Sequence, residues 1–149
     1  MASPREMPSL NSSVIGQFRA NGGQISQPPM LKGAQLILLT TTGAKTGKPR
    51  TVPLGYFVEG PGCIVLWASN MAAATHPAWY LNLTANPQVR IEMGTEEGTV
   101  VRYDATAATA TGAERERLYA AHIGSSPRIA GHQDQTSREI PVVVVSYTP

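Results

Sequence analysis

The sequence predicts an α+β domain built round a closed or nearly closed antiparallel barrel. Three observations point there. About six runs of strand character lie between short turns rich in Gly and Pro. Two or three helix-like segments interrupt them. Most successive strands stand close enough in sequence to pair as hairpins, the habit of antiparallel barrels. Pattern alone also admits a sandwich. The 149 residues amount to about one domain.

The elements follow in order. Residues 1–10 read as loose, with two prolines. Residues 11–20 form a short helix with Val14, Ile15 and Phe18 on one side, and Asn21-Gly22-Gly23 stops it. A loop runs over 24–33 through Pro28-Pro29. Ala34–Thr42 is an apolar run, a buried strand. Gly43–Pro49 is a turn. Arg50–Val58 alternates Val52, Leu54, Tyr56 and Val58, as a strand with one buried face does, and Pro53 marks it as an edge or a bulge. After the turn Glu59-Gly60-Pro61-Gly62, Cys63–Ser69 is a third strand, and the three make an antiparallel meander.

Residues 75–86 read as a helix capped by Thr75 or His76, with Pro77 in its first turn and Asn86-Pro87 at its end. Trp79 and Leu83 share one of its faces. Val89, Ile91 and Met93 alternate with Arg90 and Glu92, and Val101, Tyr103 and Ala105 with Arg102 and Asp104. Both patterns are half-buried strands, joined by a turn over Gly94–Gly98. Thr111-Gly112-Ala113-Glu114 has the spacing of a capping box and opens a helix to about His122. Residues 124–138 are a polar loop, and Ile140–Tyr147 is a last Val-rich strand.

Composition removes several function classes. One cysteine excludes an intrachain disulfide framework and any multi-cysteine metal site, and Cys63 reads as a small packed residue. No run of 18 apolar residues exists, which predicts no transmembrane helix. The first residues lack the apolar core of a signal peptide. His76, His122 and His132 show no metal-ligand spacing, and no Gly-x-Ser-x-Gly elbow occurs. No aromatics interleave the basic residues near the turn, so nucleic acid is not the expected partner.

Charge distribution says more than net charge. No carboxylate stands between Glu6 and Glu59, a stretch that carries Arg19, Lys32, Lys45, Lys48 and Arg50. The net charge is +2, so the remainder holds +2 − 5 = −3. Such asymmetry predicts an anionic partner. Three of those cations sit in Thr40–Arg50, a strand–turn–strand passage with glycines and four threonines. Positive charge, hydroxyls and approachable backbone amides make an anion cradle there. It is not a phosphate-binding loop of the Gly-x-x-x-x-Gly-Lys-Ser/Thr type. Thr42 stands at the first glycine position and Pro49 at the closing hydroxyl position. The other reading of this passage is a solvated hairpin turn with lysines guarding an edge. Trp67, Trp79 and Tyr80 are candidates either for the core or for ligand contact. With no evident acid, base or nucleophile, a bound cofactor is the expected carrier of any chemistry.

Several segments together resemble one family. They are Phe18-Arg19-Ala20-Asn21-Gly22-Gly23, Leu38 through Arg50 with Pro53-Leu54, Ala68-Ser69-Asn70, and His76-Pro77-Ala78-Trp79-Tyr80-Leu81-Asn82-Leu83 with Ala85-Asn86-Pro87. All look like the deazaflavin-dependent nitroreductase family of actinobacteria, from about residue 14 to the Ile140-Pro141-Val142 strand. The resemblance implies a split β-barrel over 26–149, preceded by an N-terminal segment, 1–25, partly helical or flexible. It implies coenzyme F420, an 8-hydroxy-5-deazaflavin with a phospholactyl-polyglutamate tail, and hence a polyanion.

Carried over, Lys45, Thr46, Lys48 and Arg50, with Ala44 beside them, hold the phosphate and nearby tail. Val52, Pro53 and Gly55 line the channel. Trp67, Ala68, Ser69 and Asn70 present backbone to the deazaflavin ring. Ala78, Trp79 and Asn82 close the site. The implied activity is hydride transfer from reduced deazaflavin to a small quinone-like acceptor. The implied setting is the cytoplasm or the inner face of the plasma membrane, with peripheral membrane contact and a homodimer as possible associations. A carrier of F420, or an FMN- or haem-binding protein, is the alternative on the same fold.

Three departures from the family pattern stand out. Ala44 replaces a usual Arg. A Lys or Gly often found near Asn70-Met71 is absent. The tyrosines that wall the acceptor pocket of nitro-reducing members fall here on Ser126, Ile129 and His132. The expectation is therefore quinone reduction with weak or no reduction of nitroimidazoles.

Overall fold

A computed structural model describes the backbone of residues 6–149 and the side chains from residue 11 onward. Seven strands form one antiparallel sheet: β1 (Leu36–Thr42), β2 (Pro49–Gly55), β3 (Phe57–Gly60), β4 (Cys63–Trp67), β5 (Gln88–Gly94), β6 (Val100–Thr109) and β7 (Val142–Tyr147). Four α-helices accompany it: α1 (Glu6–Ala20), α2 (Ala78–Ala85), α3 (Gly112–Leu118) and α4 (Pro127–Asp134).

The strand order is β2-β1-β5-β6-β7-β4-β3. Its two edges, β2 and β3, are consecutive in the chain and separated only by Tyr56. Gly55 and Phe57 are therefore at most about 7 Å apart. An open flat sheet of this order cannot satisfy that link. The sheet must curl until its edges meet at Tyr56, which makes it a barrel with a seam between β2 and β3.

This corrects the expected meander. β1 pairs with β2, and β3 with β4, but β4 continues to β7 rather than to β2. The single strand expected over Arg50–Val58 is two strands. Val52, Leu54 and Tyr56 pack on the barrel core as expected, but Val58 does not: it is 62% exposed, and Phe57 is the packed apolar residue of β3, because the covered face switches at the crossing. Pro53 pairs with Leu38 and has no partner on its other side, where its missing N–H costs nothing.

Burial follows the pleat. Ile37 and Leu39, Ile64 and Leu66, Val89 and Ile91, and Val143 and Val145 point into the barrel. Trp79 and Leu83 of α2 pack on the same core, as their spacing predicts. Leu38 faces outward, beneath Val14, Phe18 and Ile25. Val65 and Val142 face outward beneath Leu118 and Ile123. Strands covered on both faces read as continuous apolar runs, which is why Leu36–Leu39 and Cys63–Leu66 do not alternate.

Several boundaries move. Glu6–Leu10 belongs to α1 rather than to a loose segment, while residues 1–5 lie outside the described residues. The third strand stops at Trp67, not Ser69. α2 starts after Pro77, with no side-chain cap from Thr75 or His76. Thr111 precedes α3 without a side-chain capping bond, and a π-helical turn over Tyr119–Ile123 follows that helix. The largest correction is the expected polar loop over 124–138, which contains α4.

The Phe18–Gly23 motif docks α1. Phe18 is fully buried. Arg19 forms a two-pronged pair with Glu92, Nε to Oε1 at 3.0 Å and Nη2 to Oε2 at 2.8 Å. Glu92 was expected on a solvated face, yet it is only 2% exposed because α1 covers it. Gly22 and Gly23 lie against the Gly94–Gly98 turn, where a side chain at Gly22 would strike the Gly98 backbone. Both glycines have positive φ, 61° and 93°.

Candidate functional site

Two cavities meet under α2 and α1. One, of about 830 Å³, is lined by the β1–β2 turn, β2, α2 and the middle of α1. The other, of about 660 Å³, is lined by β2, the segment after β4, the start of α2, and α4. They share Asn11, Val52, Ala78 and Trp79, so together they form one elongated groove.

The first cavity is its cationic end. Ala44, Lys45, Thr46 and Arg50 line it, together with Thr41 and Thr51. The turn is closed by its own backbone: Gly43 N–H to Lys48 O at 2.8 Å, and Gly47 N–H to Gly43 O at 2.9 Å. Gly47 takes φ 69°, a left-handed position suited to glycine. Thr46 Oγ1 accepts from the N–H of Lys48 at 3.2 Å. Lys48 is exposed in the turn and does not line the groove. Asn82 lines it and also braces it. Its Oδ1 accepts from Ala44 N–H at 3.0 Å, and its Nδ2 donates to Thr41 Oγ1 at 3.1 Å.

The second cavity is mostly apolar. Val52, Pro53, Gly55, Trp67, Ser69, Asn70, Ala78 and Trp79 of the expected set line it, as do Ile129 and His132. Trp67 donates its Nε1–H to Ile129 O at 3.2 Å, which ties β4 to α4. Tyr56 faces the cavity at the strand crossing, and burial pushes its phenol pKa up, so the hydroxyl keeps its proton. Ala68 does not line the cavity. It is fully buried, and its N–H is spent on Pro141 O. Ser126 precedes α4 and is not a lining residue either.

The floor at this end is strained. Asn70, Met71 and Ala72 have φ of 48°, 51° and 63°, three successive non-glycine residues in the left-handed region. Each costs on the order of 1–2 kcal/mol. The turn is held by Ala72 N–H to Ser69 O at 2.8 Å and by Asn70 Nδ2 to Thr75 O at 3.1 Å. Such strain concentrates where a site needs a particular backbone shape.

Two contributors carried no sequence signal. Asn11, Ser12 and Ile15 bring α1 to the groove wall. Arg138, in a stretch that reads as polar loop, reaches under the floor. The three histidines stay apart. His76 meets Arg138, His122 meets Glu59 outside the barrel, and His132 lines the groove. Among the described residues no group of three His, Cys, Asp or Glu is placed to hold a metal. Cys63 is half-buried, and its thiol pKa is pushed up, chiefly by burial, so it is a poor nucleophile. No helix among the described residues is long and apolar enough to cross a membrane.

A groove with cations at one end and an apolar cavity lined by Pro53, Trp67 and Trp79 at the other suits an aromatic ring carrying an anionic tail. The sequence model of a family described as F420H2-dependent quinone reductase matches residues 13–147. An F420H2-dependent quinone reductase of Mycobacterium tuberculosis is 35% identical over 137 residues, 87% of this chain and 84% of that protein. A solved structure of an F420-H2 dependent reductase, FDR-A, is 40% identical, covering 75% of this chain and 94% of its own, with TM-score 0.62. Another, described as a domain-swapped dimer, is 34% identical over 97% of this chain and all of its own, with TM-score 0.64. A haem storage protein from Vibrio cholerae, HutZ, shares the fold at 18% identity over 91% of this chain and 88% of its own, with TM-score 0.58. The motifs pointed to an F420-dependent actinobacterial family under the nitroreductase label, and the description that matches is quinone reduction. The chain belongs to the F420H2-dependent quinone reductase family.

Proposed function

We propose that this chain, an F420-dependent oxidoreductase by family, binds reduced coenzyme F420 along the groove and reduces a quinone-like acceptor at its apolar end. The observation that carries this reading is the joined groove, with Lys45 and Arg50 at one end and Trp67, Pro53 and Trp79 at the other. Lys45 and Arg50 take the anionic tail, with Thr46 and the Ala44 backbone beside them. Ser69 and Asn70 present backbone and amide groups to the polar edge of the ring. Val52, Pro53 and Trp79 sandwich the ring and keep water out. Bound reduced deazaflavin supplies the hydride, leaving this chain to orient donor and acceptor.

The tail of F420, a phosphodiester followed by glutamate carboxylates, offers anionic groups spread along the cationic end, where FMN offers one phosphate. A second copy is a reasonable associate, since a relative 34% identical is described as a domain-swapped dimer. Exposed Met71 and Leu81 beside the groove suit peripheral contact with the inner face of a membrane, where quinones reside.

A fluorescence titration of oxidised F420, repeated at higher salt, tests the assignment. Saturable binding that weakens with salt is expected. Reoxidation of reduced F420 by menadione then tests the activity and separates an enzyme from a carrier. No binding of F420, with a yellow flavin or a haem band on the purified protein instead, would sink the reading.

A further inference from the structure

Arg138 lies between α4 and β7, and its guanidinium is almost fully used. Nε donates to Ala73 O at 2.9 Å. Nη2 donates to Ser69 O at 2.7 Å and to Ala68 O at 3.2 Å. Nη1 donates to His76 Nδ1 at 3.0 Å. A guanidinium has no acceptor, so His76 Nδ1 must be bare and its ring proton must sit on Nε2. All four partners belong to 68–76, the segment from the end of β4 to the start of α2. They bracket the left-handed residues Asn70–Ala72 on both sides.

The other end of Arg138 is equally fixed. Gln133 of α4 donates to Arg138 O at 2.7 Å and accepts from Ile140 N–H at 2.8 Å. The backbone that carries Arg138 is therefore laced to α4, whose Ile129 and His132 line the same cavity as Ser69 and Asn70. Arg138, through Gln133, thus links the 68–76 segment to α4, alongside the Trp67–Ile129 bond.

We propose that Arg138 is a positioning residue for hydride transfer: it holds the 68–76 segment in the strained shape that seats the ring, and links it to the α4 wall. This rests on the groove being the cofactor site. A strained turn persists only where its surroundings over-determine it, and the planar fork of Arg138 is that constraint. A lysine keeps the charge but is a point donor, so it cannot reach four acceptors spread across two sides of the turn.

The test uses two ligands, F420 and the tail-less deazaflavin with the same ring and polyol but no phosphate. Each is titrated into wild type, Arg138→Ala and Arg138→Lys, with the absorption spectrum of the bound ring and the melting temperature recorded. In both variants, tail-less binding should weaken by about tenfold or more and the bound-ring spectrum should move toward that of free ligand. The salt dependence of F420 binding should stay as in wild type, because Lys45 and Arg50 are untouched. Arg138→Lys should melt close to wild type and still show the loss, which a purely structural role would not produce. If Arg138→Ala does not fold, Arg138→Lys decides. Wild-type ring binding and spectrum in the folded variants would overturn the proposal alone. A wild type that binds neither ligand would overturn the groove assignment, and this proposal with it.

Discussion

Asn82 of α2 holds Ala44 in place across 38 residues of sequence, accepting the backbone N–H of Ala44 at 3.0 Å. Its other amide atom donates to Thr41, which is 2% exposed. The helix therefore shapes the cationic turn rather than merely closing over it. Asn82→Ala strands the Thr41 hydroxyl and frees the turn, at about 1–3 kcal/mol of stability. Asn82→Asp still accepts from Ala44, and Thr41 can rotate to donate to it. Its new charge opposes an anionic tail. Melting and F420 titration together should show Asn82→Ala losing both stability and affinity, and Asn82→Asp losing mainly affinity. Equal affinity in wild type and Asn82→Asp would place the tail elsewhere.

The three turn cations should not be equivalent. Lys45 and Arg50 line the groove and Lys48 does not. A charge-assisted contact is worth roughly 1.5–3 kcal/mol, so Arg50→Ala or Lys45→Ala should weaken F420 binding by about tenfold or more. Each should also flatten its salt dependence. Lys48→Ala should change affinity by less than about threefold, the share of a screened surface charge. Titrations at two salt concentrations distinguish them. A large loss in Lys48→Ala with none in Arg50→Ala would reverse this placement of the tail.

The turn was legible because its chemistry is local: three cations, glycines and threonines stand within a few residues. The strands were legible from their alternation and apolar runs. What was not legible depends on tertiary contact. The crossing at Tyr56 lies inside the apolar run Tyr56-Phe57-Val58, where the sequence does not say which of the last two is packed. α4 hides in a stretch with Gly131 and Pro127, where Ile129 and Ala130 are its only packed apolar side chains and none of its residues is fully buried. Its fixing bonds come from Trp67 and Ile140, distant in sequence. Arg138 and Asn11 look like ordinary polar residues, since their roles exist only once α1, α4 and the 68–76 segment have come together.

The Arg19–Glu92 clamp predicts an acid-sensitive groove wall. The hydrogen bond from Arg19 holds the Glu92 carboxyl below the usual range, outweighing burial, and Arg102 adds to it. A depressed carboxyl contributes stability above its unfolded value, about 4.3, and loses it as pH falls through the lower folded value. Glu92→Gln removes the charge at every pH and should cost about 1–3 kcal/mol at neutrality, where Arg19 loses its partner. Melts from pH 7 downward should show the gap between wild type and Glu92→Gln closing only in the acid range. A gap that stays constant would mean the clamp works by packing alone. Because Asn11, Ser12 and Ile15 share that helix, F420 affinity should fall in the same window.

Acceptor preference follows from the α4 wall of the groove. Ile129 and His132 of α4 stand there, and no tyrosine occurs between Tyr119 and Tyr147. Tyr56 is the phenol at this end, and burial keeps it protonated. A planar quinone needs an apolar slot and a proton donor for the oxygen that gains charge, which Ile129, Trp67 and His132 can provide. A bulkier bicyclic nitroimidazole needs further donors to hold its nitro group, and α4 carries no tyrosine to supply them. Reduced F420 should therefore be reoxidised readily by menadione and poorly by such a nitroimidazole, followed by recovery of F420 absorbance. Placing a tyrosine at the wall, His132→Tyr, should raise the nitroimidazole rate relative to menadione. Comparable rates with both acceptors in the wild type would show that the α4 wall does not select between them.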